Sequence, residues 1–313
     1  MRLGWKRYTP ELAPTADDVQ AMVRAGLPAA RVAGFASAAG GIANTNIRVD
    51  LEGGGRVLLR LYQRDATQAA KEMAVARRIG AAVPVARFLH IGAHGDYRFA
   101  LVEWIDGERL ELTLPAMDEA ARRAAGRAVG AALGAVHRFE FAEAGFLDAE
   151  LNVATPLGGG SDFLLAFMRA SLIDGQAHDL LGHDLARAAM DFATAHRHLE
   201  WPGRHRLIHA DFNGSNILMR GGAVAAVVDW EFAMSAKPDI DFGNLQRNHP
   251  DKAFLGGVVS GYEAQGHTLP PDWRKLARLS DLVAWADILT RKGIDQSIVD
   301  SARSAIRETI EAG

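Results

Sequence analysis

Cysteine is absent from the 313 residues. That excludes disulfides and thiolate metal sites, and it fits a reducing cytoplasm, the expected location. No surplus of one charge exists: 35 Lys and Arg stand against 38 Asp and Glu, a net charge of −3. A chain without a basic excess carries no nucleic-acid footprint, so no nucleic-acid partner is expected. No apolar run approaches the length of a membrane span, so no membrane partner is expected either. Residues 1–30 lack a basic stretch followed by an apolar core, so no secretory signal is read there. Internal repeats and low-complexity tails are also lacking. What remains is ordinary globular composition, 49% hydrophobic and 23% charged, at a length sufficient for two lobes with cores of their own.

The first third reads as strands around one helix. Thr15 is placed to cap a short helix over 16–25, ended by Gly26. Strands are expected over 31–38, 45–51 and 56–62, with Gly53-Gly54-Gly55 turning between the last two. A helix is expected over 68–80, then strands over 86–91 and 98–104, completing a five-stranded antiparallel sheet. Leu58 and Arg60 alternate onto one face of their strand. Gly40 and Gly41 lie between the first two strands; such a turn lets backbone amides approach an anion, and it equally serves a plain hairpin.

The remainder is largely helical. Asp118 caps a helix over 119–137, residues 141–157 look irregular, and another helix is expected over 178–199. The histidines of that helix, His183, His196 and His198, have no carboxylate or cysteine array with them and are read as exposed helix residues. Three helices follow over 252–313, broken at 266–271 and near Gly293.

The chemistry concentrates in Leu207-Ile-His-Ala-Asp-Phe-Asn-Gly-Ser-Asn216 and in Asp229-Trp-Glu231. The pattern is H-x-D-x-x-x-x-N, an apolar strand, a Gly221-Gly222 turn, a second apolar strand and D-W-E. A hairpin of this kind returns Asp229 close to Asn216, as shared metal binding requires. One carboxylate and one amide oxygen suit magnesium, and a separate carboxylate, Asp211, is suited to take the proton of an attacking hydroxyl. His209 is read as structural, holding the loop through hydrogen bonds.

These residues resemble the aminoglycoside phosphotransferase and choline kinase superfamily, the small-molecule branch of the protein-kinase-like fold, over about residues 30–290. The resemblance implies an α+β, two-lobed fold: an N-terminal nucleotide-binding lobe (1–104) of antiparallel sheet plus helix, and a mainly helical lobe (105–313) carrying catalysis and acceptor binding. It implies Asp211 as base and Asn216 and Asp229 on magnesium, with ATP or GTP as donor. Gly40 and Gly41 fall at the family's phosphate-covering loop. Arg60 stands where kinases place a phosphate-binding lysine, Glu72 matches its helix partner, and Leu58 falls over the adenine. The segment around Glu103 to Ile105 matches the hinge whose backbone meets the adenine edge. Asp241 matches a structural aspartate behind the catalytic loop, and His137 a structural helix end. Ala210 before the base, and Trp230-Glu231 in place of D-F-G, argue against a protein substrate.

The acceptor is less defined. Glu231, Asp239 and Asp287 are candidate negative charges for a cationic acceptor, and Trp230 and Trp285 candidate aromatic faces. Aminoglycosides or other cationic antibiotics, choline or ethanolamine, amino acids and sugars all remain open. So does a nucleotide-binding regulator with little transfer activity, which the arginine at position 60 motivates.

Overall fold

A computed structural model describes residues 10–38, 44–65, 67–158, 161–291 and 293–312. Gly40 and Gly41 lie outside the described residues. The fold is α+β, and by its contacts the chain divides into two compact units.

The first unit comprises Met1–Met117, Leu147–Asn152 and Gly214–Ala233. Helix α1 (Ala16–Gly26) starts at a reciprocal cap: the Asp18 amide donates to Thr15 Oγ1 at 3.2 Å, and the Thr15 amide to Asp18 Oδ2 at 2.9 Å. Such a cap contributes about 1 kcal/mol. Strands β1 (Val32–Ser37), β2 (Thr45–Leu51), β3 (Arg56–Leu61), β4 (Phe88–His94) and β5 (Tyr97–Glu103) form one antiparallel sheet in the order β1-β2-β3-β5-β4. Alternation along β3 sorts its side chains. Val57, Leu59 and Leu61 pack with Val19, Met22 and Val23 of α1. Leu58 turns to the opposite face, against Tyr62, Ala69, Ala100 and Val102. Arg60 shares that second face by strand parity. Helix α2 (Gln68–Ile79) follows β3, and its buried positions include two charges, Lys71 and Glu72.

After β5 come β6 (Glu108–Arg109) and the single turn α3 (Leu110–Thr113). The second unit comprises Asp118–Phe146, Val153–Asn213 and Met234–Gly313. Helix α4 (Glu119–Val136) is capped by the Asp118 side chain, which accepts from the Ala121 amide at 2.8 Å. The stretch expected to be irregular instead holds three short strands, β7 (Glu140–Phe141), β8 (Gly145–Leu147) and β9 (Val153–Pro156). They are too short to show a period in sequence. Helix α5 (Ser161–Leu172) leads into a second difference. The single helix expected over 178–199 is two, α6 (Ala177–Leu181) and α7 (His183–Ala195), because Gly182 adopts φ +86°, a backbone conformation that breaks a helix.

Strand β10 (His205–Ile208) carries the chain toward the motif and pairs with β7 and with β13 (Met234–Ala236). Between them, β11 (Ile217–Arg220) and β12 (Ala223–Val227) form the expected hairpin, turning at Gly221 and Gly222 with φ +58° and +81°. This hairpin belongs to the first unit: β11 pairs with β6, and the Val227 amide donates to the Pro84 carbonyl at 2.8 Å. Helices α8 (Asp239–Asn248), α9 (Lys252–Glu263), α10 (Trp273–Leu289) and α11 (Gln296–Glu311) complete the second unit. No helix among the described residues is long and apolar enough to cross a membrane.

Helices α4 and α9 meet backbone to backbone. A Cβ on Gly130 would stand 2.0 Å from the Val258 carbonyl oxygen, and one on Gly261 2.1 Å from that of Arg127. Gly130→Ala therefore forces the helices apart and is expected to cost about 1–3 kcal/mol in urea denaturation. Gly256→Ala is the control, since a Cβ there meets only a flexible arginine tip at 3.5 Å. Equal stability of the two variants would refute this packing.

Candidate active site

In the second unit, β10 delivers the chain into a loop built around Asp241, which has no exposed surface. Asp241 Oδ2 accepts from the His209 amide at 2.9 Å and from His137 Nε2 at 3.1 Å, and Oδ1 accepts from the Ala210 amide at 2.8 Å. His137 Nδ1 in turn meets the Tyr262 hydroxyl at 3.1 Å. Phe242, beside Asp241, packs against Trp201, Tyr262 and Trp273 with ring centroids 5.0–5.5 Å apart. These contacts hold Ala210 at φ +61°, a conformation costing a non-glycine residue about 1–3 kcal/mol. The next residue is Asp211. Its amide donates to His209 Nδ1 at 3.3 Å, so that ring nitrogen acts as the acceptor. His209 therefore orders the loop, as its sequence position suggests. Asn213 Nδ2 donates to Asp211 Oδ1 at 2.8 Å and orients the carboxylate.

In the first unit, the hairpin brings the other two motif residues together. The Val228 amide donates to the Asn216 carbonyl at 2.9 Å, so Asn216 and Asp229 are neighbours across the ladder. Asn216 is buried, and its Oδ1 accepts from Ser215 Oγ at 3.4 Å. Asp229 has φ +68° and ψ +62°, a second strained non-glycine residue, and begins the 3-10 turn Trp230–Phe232. Arg60 Nη2 donates to Asp229 Oδ1 at 2.6 Å and lies 3.4 Å from Glu72 Oε1 and 3.8 Å from Glu231 Oε2. The expected pairing of Arg60 with Glu72 is thus formed inside a larger cluster.

Three carboxylates around one guanidinium shift one another. Burial opposes the charge on Arg60, but Asp229, Glu72 and Glu231 outweigh it and raise its pKa further. Burial pushes Glu72 up to about 7, with Arg60 opposing and Asp229 and Glu231 adding. Burial, then Asp229, raises Glu231. A carboxyl raised on folding binds its proton more tightly in the folded chain. Its stabilising contribution is complete below the unfolded value near 4.5 and is lost as pH rises through about 7. Glu72→Gln is therefore expected to flatten the fall in unfolding free energy over that window, measured by urea melts at several pH values. Parallel profiles for variant and parent would contradict the assignment.

Leu58 is half-buried on the Arg60 face and pairs with Val102 of β5. Glu103, at the end of β5, donates its amide to the Arg87 carbonyl at 2.8 Å, and Ile105 is half-buried just beyond. Sequence reasoning missed Lys71, Asn44 and Tyr62. Lys71 Nζ donates to the Glu231 carbonyl at 2.6 Å, Asn44 Nδ2 donates to Glu231 Oε2 at 3.0 Å, and Arg60 stacks over the Tyr62 ring at 5.4 Å. A signal for Lys71 existed: with Glu72 it occupies the face of α2 that otherwise buries Val75, Ala76 and Ile79.

The acceptor candidates fare differently. Trp230 is buried, with its indole N–H donating to the Val227 carbonyl at 3.0 Å, and Trp285 is 1% exposed, so neither offers a free aromatic face. The Ser280 hydroxyl donates to Asp239, and burial raises that carboxyl to about 6. Asp287 pairs with Arg291 one helical turn on, at 3.0 Å. Glu231 belongs to the Arg60 cluster.

Asn216 and Asp229 offer amide and carboxylate oxygens, hard donors of the kind magnesium takes.

Residues 35–279 match the model of the family described as phosphotransferase enzyme family. No curated protein matches. Several solved structures share the fold. A thermostable mutant of aminoglycoside phosphotransferase APH(4)-Ia, in ternary complex with ADP and hygromycin B, is 18% identical; 95% of this chain and 99% of that one are covered, with a TM-score of 0.72. Macrolide 2'-phosphotransferase MphH from Brachybacterium faecium is 18% identical over 93% of this chain and 98% of its own, with a TM-score of 0.66. A structure from Thermobifida fusca YX-ER1, provisionally named a fructosamine-3-kinase, is 21% identical over 94% and 100%, with a TM-score of 0.65.

Proposed function

The chain belongs to the phosphotransferase enzyme family, and from that premise we propose that it transfers the γ-phosphoryl group of ATP or GTP to a hydroxyl of a small molecule, with magnesium. The observation that carries this reading is the β11–β12 hairpin, which sets Asn216 beside Asp229 while Arg60, backed by Glu72, reaches the Asp229 carboxylate. Asp211 accepts the proton of the attacking hydroxyl; its orientation by Asn213 is suited to that task. Asn216 and Asp229 hold the magnesium, which neutralises phosphate charge when bound. Arg60 exchanges part of its carboxylate contact for the α- and β-phosphates, and its planar fork suits phosphate oxygens. Leu58 and the backbone from Glu103 to Ile105 receive the base, and Gly40 and Gly41 serve the phosphates.

For the acceptor we favour a polyhydroxylated cationic compound of the antibiotic type. The ADP and hygromycin B complex of APH(4)-Ia supports that class, and the fructosamine-3-kinase name supports a sugar-amine metabolite as the alternative. A choline-like acceptor is disfavoured, because Trp230 and Trp285 are spent in the core. The regulator reading draws on the 2.6 Å contact of Arg60 with Asp229, which occupies a proposed metal ligand.

The test is release of ADP or GDP in magnesium across a panel of aminoglycosides, macrolides, basic peptides, amino alcohols, glycated amines and sugars. Acceptor-dependent release establishes the kinase and its substrate class. Nucleotide binding without release from any acceptor favours the regulator.

A further inference from the structure

Lys71 is 8% exposed, yet its ammonium forms no ion pair among the described residues. Burial lowers its pKa, so holding a charge there has a cost. Its donors go instead to main chain: to the Glu231 carbonyl at 2.6 Å and toward the Ala233 carbonyl at 3.5 Å. Glu231 is the middle residue of the 3-10 turn that follows Asp229, the residue at φ +68°, and Ala233 caps the end of that turn. Successive residues of α2 therefore grip Asp229 from two sides. Glu72 steadies Arg60, which meets the Asp229 carboxylate, and Lys71 fastens the backbone that follows it.

We propose that Lys71 is a positioning residue of the phosphotransfer site: by clamping the Glu231 and Ala233 carbonyls it fixes the left-handed backbone from which Asp229 presents its carboxylate. A strained residue persists only while its surroundings over-determine it. An ammonium with several donors, reaching from a helix, supplies that restraint without competing for the carboxylate itself. The inference rests on the reading of Asp229 as a magnesium ligand.

Lys71→Met keeps the aliphatic stem and removes the donors, and Lys71→Arg restores them. ATP binding is read by intrinsic tryptophan fluorescence, to which Trp230 in the turn contributes, once in chelator and once across a magnesium titration. Affinity in chelator is expected to match the parent for both variants. In Lys71→Met the magnesium midpoint rises by about ten- to a hundredfold, the usual effect of losing a group that orients a metal ligand, and Lys71→Arg recovers most of it. In turnover the loss falls on kcat more than on the nucleotide KM. Should Lys71→Met not fold, Lys71→Gln, with a shorter neutral donor, carries the same test and is expected to shift the midpoint in the same direction. A variant that folds less stably but keeps the parental midpoint and kcat overturns the proposal and leaves Lys71 a structural lysine. If the parent itself binds ATP with no response to magnesium, the metal reading fails, and the proposal with it.

Discussion

Asp211→Asn is expected to lower kcat by about a hundred- to ten-thousandfold while leaving nucleotide affinity unchanged. The size follows from the removal of a positioned general base. The selectivity follows from geometry. An asparagine at 211 is nearly isosteric, and its side-chain oxygen can still accept from Asn213 Nδ2, which now lies 2.8 Å from Asp211 Oδ1. The amide bond to His209 Nδ1 is main chain and survives. The loop thus keeps its shape and loses only its basicity. The groups proposed to meet nucleotide, Arg60, Leu58 and the Glu103 to Ile105 backbone, are untouched. Steady-state kinetics with a direct nucleotide-binding measurement separate the two effects. A variant that retains full turnover excludes Asp211 as the base, whatever else it does.

Asp241→Ala is expected to destabilise the second unit by roughly 3–5 kcal/mol and to abolish turnover. The carboxylate is wholly buried and accepts from three donors: the His209 and Ala210 amides and His137 Nε2. Alanine leaves two buried amides and a buried imidazole without that acceptor, and breaking such an arrangement from one side has costs of this size. It also frees Ala210 from φ +61°, so the backbone that presents Asp211 relaxes. Asp241→Asn is the discriminating companion. It keeps the volume but turns an amide N–H₂ toward donors, so it is expected to fall between the parent and alanine in urea denaturation. A full complement of stability in Asp241→Ala would show that these three bonds do not hold the loop.

Much of this arrangement was legible in the sequence because its signals are local. The β-period of residues 57–62 separated Leu58 and Arg60 from Val57, Leu59 and Leu61, and the structure packs them on the two faces so predicted. The glycine pair at 221–222 fixed the hairpin, and the hairpin fixed the neighbouring places of Asn216 and Asp229. What was not legible depends on partners distant in sequence. Lys71 and Asn44 become site residues only when their side chains meet Glu231, 160 and 187 positions away. Trp230 and Trp285 look like aromatic faces until the core that covers them is assembled. Strands β7–β9 carry too few residues for a period, and the break at Gly182 turns on one backbone angle that neighbouring helix formers mask. Local pattern therefore gave the candidate residues and their places on the hairpin, and tertiary contact brought Lys71 and Asn44 to Glu231.

Phosphoryl transfer to a small-molecule hydroxyl, with Asp211 as base, is read from the mass of the acceptor after incubation with magnesium and ATP labelled with oxygen-18 in the γ-phosphoryl group. The expected product is an acceptor carrying one labelled phosphoryl group, formed with equimolar ADP and lost in Asp211→Asn. An unmodified acceptor accompanied by pyrophosphate release, or a product formed undiminished by Asp211→Asn, would contradict it.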